Sequence, residues 1–134
     1  MNTKTLMTSS SLFLALAGVF TLFAPDILLS ALGVAATAQL SVLVQLLGAL
    51  YFSFALMNWT AKDSAIGGIY ARPVSLANFS HFFSGVLLLA KHLLSNQFNL
   101  PILLVTILYA IFAAVFYWLV FRATGLKVDK LVGK

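Results

Sequence analysis

From Ile27 to Ala61 the chain carries no charged residue. A stretch of that length and character cannot lie on the surface of a water-soluble fold without exposing far more apolar area than water tolerates. Three other runs are nearly as apolar: Leu6 to Ala24, Pro73 to Ser95 with Lys91 near its end, and Leu100 to Phe121. A helix crossing the hydrocarbon of a bilayer needs about 20 mainly apolar residues. Within the uncharged stretch the segment from Ala38 to Ala61 meets that length. The expectation is therefore an all-α protein, a single domain over residues 1–134 in which four membrane-spanning helices form a bundle. Composition agrees: 62% of residues are hydrophobic and 8% charged, against roughly 45–50% and about 25% in soluble proteins.

The ends of the runs have physical causes. Pro25 lacks the N–H that would continue the first helix, and Asp26 resists hydrocarbon. Pro73 and Pro101 suit a first helical turn, where a missing N–H costs nothing. Gly125 is a plausible C-cap for the last run. Between the first two runs Asp26 is expected to cap a short interfacial helix ending at Gly33. The segment Asn58 to Pro73, NWTAKDSAIGGIYARP, reads as a polar turn with Gly67-Gly68 making the reversal. Lys4, the first apolar run and Ala36-Thr-Ala38 resemble a cleaved leader, but the run to Ala38 is longer than such leaders, and the first helix is read as retained.

Eight Lys/Arg against three Asp/Glu give a net charge of +5. The basic residues are scattered singly at run ends, which fits membrane orientation and not nucleic-acid binding. Lys4, Lys62, Arg72, Arg122, Lys127, Lys130 and Lys134 fall on one side of a four-span topology, and Lys91 alone falls toward the other. Both termini are thus expected in the cytoplasm. The chain has no cysteine, which excludes disulfides and thiol chemistry.

Polar and small residues recur on one stripe of each run, as at helix seams in membranes. The stripes are Ser11, Ala15 and Gly18; then Ser41, Gln45, Gly48, Phe52, Ala55 and Trp59. The third run offers Asn78, His81, Gly85, Leu88 and His92, the fourth Thr106, Ala110, Ala113 and Tyr117. Gly18, Gly48, Gly85 and Ala113 are the candidate packing positions. Gln45, Tyr51, Asn58, Asn78 and His81 are the candidate polar core or ligand-binding residues. The plainer reading makes them hydrogen-bonding glue between helices; the sharper one makes them a pocket open to the cytoplasm. His81 is expected to face protein, near Gln45 or another polar group of the second run, because an imidazole in hydrocarbon needs a partner.

Catalysis has little support. No Asp or Glu lies well inside a run, and no nucleophile–base–acid set is legible. No Cys/His/Asp/Glu spacing suits a metal. His81 and His92 lie 11 residues apart on one run, about 16 Å along a helix, so one chain cannot bring both to one haem iron, and only a symmetric oligomer could supply one from each chain.

The segment LLGALYFSFALMNWTAKDSAIGGIYARPVSLANFSHFFSGVLL resembles small four-helix bacterial membrane proteins of the DoxX-like kind, as do FAPDILLSALG after the first run, the Gly-Ala pair, the Asn-Trp that follows and Arg72. The resemblance implies a four-helix fold in the bacterial inner membrane, and some relatives are linked to redox or quinone-associated complexes. The expected function is a non-enzymatic, self-associating protein or an accessory subunit of a larger membrane complex, with the lipid bilayer as its environment. The alternative is a binder or transporter of a small apolar or amphipathic molecule, such as a lipid, quinone or isoprenoid, at a polar patch near His81. No cofactor is evident beyond a lipid or quinone in that role.

Overall fold

The computed structural model describes residues 3–63, 72–95 and 99–122. Helices α1 (Thr3–Phe23), α2 (Pro25–Ala31), α3 (Ala38–Ala61), α4 (Arg72–Ser95) and α5 (Leu100–Arg122) follow in order. No strand occurs among the described residues. α1, α3, α4 and α5 are each long and apolar enough to cross a membrane. They match the four expected runs to within a residue at each end, except that α1 begins at Thr3 instead of Leu6. The Gly67-Gly68 reversal and the proposed cap at Gly125 lie outside the described residues.

The prolines act as expected. Pro25 opens α2, and Pro73 and Pro101 are the second residues of α4 and α5. Two caps escaped the sequence reading. The Thr37 hydroxyl accepts from the Leu40 N–H at 3.3 Å, and the Asn99 side chain accepts from the Ile102 N–H at 3.2 Å. Each satisfies one of the amides a helix start leaves unpaired.

The short helix corrects one expectation. Asp26 does not cap it; Ala24 holds the cap position, and Asp26 lies within the first turn. Proline at the first helical position removes one orphan amide, so a capping carboxylate is less needed. Asp26 is used elsewhere: the Ser41 hydroxyl of α3 donates to it at 2.5 Å. At the far end Gly33 takes φ +72. Its N–H bonds the Ser30 carbonyl at 3.0 Å, and the Val34 N–H bonds the Leu29 carbonyl at 2.9 Å. This is a Schellman closure, which needs a left-handed residue that glycine adopts without steric cost.

The chain divides into two compact units, residues 1–64 and 65–134. The first is an antiparallel hairpin of α1 and α3 with α2 at the turn. The second is a hairpin of α4 and α5.

In the first unit the helices meet through small residues. Gly18 and Gly48 lie against each other. A Cβ on Gly18 would stand 2.8 Å from the Phe52 amide nitrogen and 2.9 Å from the Gly48 carbonyl oxygen. One on Gly48 would strike the Thr21 hydroxyl and come within 2.8 Å of the Leu22 amide nitrogen. In hydrocarbon, helices gain little from burying apolar area, so close backbone contact of this kind is a main source of attraction.

The second unit packs rings. Phe82 is fully buried. It stacks on Phe112 and Phe116 at 4.8 and 5.9 Å and meets the Tyr109 ring edge-on at 5.1 Å. A second cluster joins Phe79 to Phe83, Tyr117 and Phe121. The stripes expected for this hairpin are displaced. On α4 the buried residues are Ser75, Asn78 and Phe82, while Leu88 is 69% exposed and His92 is exposed. On α5 they include Tyr109, Ala113, Phe116 and Val120, whereas Ala110 and Tyr117 are exposed. Aromatic surface takes most of this seam, with Asn78, Gly85 and Ala113 the expected positions that stay in it.

Candidate functional site

Polar groups run the length of the α1–α3 contact. At one end Ser41 meets Asp26; one turn on, the Gln45 amide donates to the Leu22 carbonyl at 3.1 Å. Gly48 follows, opposite Gly18. Thr21 turns its hydroxyl back to the Ala17 and Gly18 carbonyls at 2.8 and 3.1 Å, which satisfies it within its own helix. Farther along, the Ser11 hydroxyl donates to the Ala55 carbonyl at 2.7 Å. The Asn58 amide donates to the Ser10 hydroxyl at 3.1 Å, and that hydroxyl donates to the Met7 carbonyl at 3.2 Å. Beyond the helical run Lys4 pairs with Asp63 at 2.7 Å, both side chains largely exposed. From Gln45 to Asn58 the residues met on α1 fall from Leu22 through Gly18 and Ser11 to Ser10, so these ties fix an antiparallel register. No buried side-chain nitrogen or oxygen among the described residues lacks a hydrogen-bond partner, as hydrocarbon requires.

The three candidates in this unit therefore do not converge. Gln45 is exposed at one end of α3, and Asn58 is fully buried near the other. Thirteen residues separate them, about 20 Å along the helix, with Tyr51 half-buried between. Gln45 and Asn58 serve as interhelical ties at separate levels.

Asn78 and His81 sit one turn apart on α4. Asn78 is fully buried and donates to the Val74 carbonyl at 2.9 Å. His81 is half-buried, with Nε2 lying 3.4 Å from the Tyr109 hydroxyl of α5. Its ring packs on the edge of Phe82 at 5.1 Å and beside Tyr109 at 5.5 Å. Gly85 makes the arrangement possible: the Tyr109 ring occupies the space a Cβ would take there. Sequence reasoning singled out His81 and Gly85 but missed Tyr109, which links them. Within its hairpin His81 thus has a phenol partner, and Tyr109 is the added candidate residue. A phenol–imidazole pair can hold a polar headgroup by donating and accepting.

One groove stands out on the first hairpin. Its volume is about 330 Å³, and Leu12, Ala15, Phe52, Leu56 and Trp59 wall it, with Ser11 and Ala55 at its floor. Among the described residues no three of His, Cys, Asp or Glu gather as metal ligands would. Comparisons with protein-family models, with curated proteins and with solved structures find no match for this chain.

Proposed function

We propose that this chain is a multi-pass protein of a bacterial inner membrane, of the DoxX-like kind. Its four long helices would form one domain, with both termini in the cytoplasm. Its role is non-enzymatic: it self-associates or serves as an accessory subunit of a larger membrane complex. The supporting observation is the outward surface of the four long helices. Leu12, Leu16, Phe20 and Phe23 on α1 are exposed, as are Leu46 and Leu50 on α3, Leu87 and Leu88 on α4, and Leu104, Ile107 and Ile111 on α5. Only lipid or apolar protein can cover such surfaces. Ser11, Ser41, Gln45 and Asn58 of the first hairpin are meanwhile spent on ties between helices, which supports a structural role over a reactive one. The test is the mass of the tagged protein extracted from membranes in mild detergent and returned to lipid nanodiscs. A homo-oligomer or a stoichiometric foreign subunit is expected. A lone monomer at every protein-to-lipid ratio would overturn the reading.

The His81–Tyr109 pair favours one second reading, binding of a small amphipathic molecule such as a lipid or quinone at that patch. On a purely structural role His81→Gln folds and leaves function intact, since an amide both donates and accepts. On the binding role it folds and loses the ligand.

A further inference from the structure

The groove on the first hairpin combines two features that together define an occupant. Its interior makes no polar demand: the Ser11 hydroxyl at its floor is committed to the Ala55 carbonyl at 2.7 Å, and the walls are Leu12, Ala15, Phe52, Leu56 and Trp59. Between Phe52 and Trp59 it follows α3 for about 10 Å. A charge lies beside Trp59, the lining residue nearest the close of α3. The Lys62 ammonium lies 3.0 Å from the centre of the Trp59 ring, on the same side chain that walls the groove. The nearest acid in sequence, Asp63, is engaged by Lys4 at 2.7 Å, so the local balance among these three groups is one positive charge. An apolar slot ending at a tryptophan and an ammonium matches a molecule with an acyl chain and an anionic headgroup.

We infer that this groove is a binding site for an anionic phospholipid of the cytoplasmic leaflet, its acyl chain between α1 and α3 and its phosphate at Lys62. The inference rests on the membrane-spanning orientation proposed above, which puts the Lys62 end of α3 at the cytoplasmic face, where anionic lipids concentrate. The indole ring suits the headgroup level, with its N–H toward water and its face over the chain.

The experiment uses the full chain carrying Trp118→Phe, which leaves Trp59 as the only tryptophan. It is reconstituted in phosphatidylcholine vesicles containing either brominated phosphatidylglycerol or brominated phosphatidylcholine at equal fractions. Bromine quenches indole emission only in contact. The phosphatidylglycerol form is expected to occupy the site about fivefold more strongly, the effect of one basic side chain at an anionic surface. Lys62→Gln should bring the ratio close to one, while Lys130→Gln, an equal charge loss in the C-terminal tail, should leave it unchanged. Ala15→Phe, which fills the groove, should reduce quenching by both lipids. Equal quenching by the two lipids in the parent chain would overturn the site. So would a Lys130→Gln effect as large as that of Lys62→Gln. Quenching by neither lipid in a chain that protease protection shows to be inserted would mean that protein covers the groove, and would also overturn it. Quenching by neither in a chain that does not insert would overturn the spanning reading itself.

Discussion

The two hairpins hold their helices together in two ways. α1 and α3 use small residues and polar ties: Gly18 against Gly48, Ser11 to Ala55, Asn58 to Ser10. α4 and α5 use rings: Phe82 among Tyr109, Phe112 and Phe116, with His81 at the edge. The first contact is backbone on backbone and cannot yield. The second is side chain on side chain and can turn. The difference has consequences for mutation, because a methyl group added to each seam meets a different obstacle.

The largest effect is expected at Gly18. Gly18→Ala drives a Cβ against the Phe52 and Gly48 backbones, and only separation of the helices relieves it. Overpacking of this kind costs about 3 kcal/mol, read as the shift in unfolding by denaturing detergent. Gly85→Ala meets only the Tyr109 ring and should cost about 1 kcal/mol. A second change, Tyr109→Leu, should remove most of that loss. If Gly85→Ala proved as damaging as Gly18→Ala, the contrast between rigid and yielding seams would fail.

Polar ties come next. Asn58→Leu removes the bond to Ser10 at a cost of about 1 kcal/mol, within the range for hydrogen bonds between membrane helices. Tyr109→Phe keeps the ring in its seat and loses the hydroxyl near His81. It should cost about 0.6 kcal/mol or less. Double-mutant cycles in each hairpin would measure these couplings.

The smallest effect belongs to Lys4 and Asp63, both 62% exposed. The hydrogen bond from Lys4 holds the Asp63 carboxyl below the usual carboxylate range. The contribution is therefore present above the ordinary carboxylate pKa and is lost as pH falls through the lowered value. Lys4→Gln should flatten that acid-side dependence, and added salt should mask it.

How far the sequence could be read follows the same division. The long helices were legible from their apolar runs, and Pro25, Pro73 and Pro101 mark where α2, α4 and α5 begin. The first seam was largely legible too: Ser11, Gly18, Gly48 and Ala55 stand out as small residues at helical spacing in an apolar run. The second seam was legible only at Asn78, Gly85 and Ala113. α5 is apolar all round, so its periodicity carries no phase, and a search for small or polar residues selects Ala110 and Tyr117 where Tyr109 and Phe116 are buried. The partner of His81 was hidden for the same reason. A tyrosine joins a histidine 28 residues away only when the register between the helices is known.

The absence of cysteine from the chain permits the most direct test of the proposed topology. Single cysteines would be placed at Asn2, Ala36, Ser64, Gln97 and Gly133 and labelled in intact bacterial spheroplasts with a membrane-impermeant maleimide. Four crossings with cytoplasmic termini predict labelling at positions 36 and 97 from outside, and at 2, 64 and 133 only after the membrane is opened. Labelling of 36 and 97 from opposite sides, or of 2 and 64 from opposite sides, would contradict it.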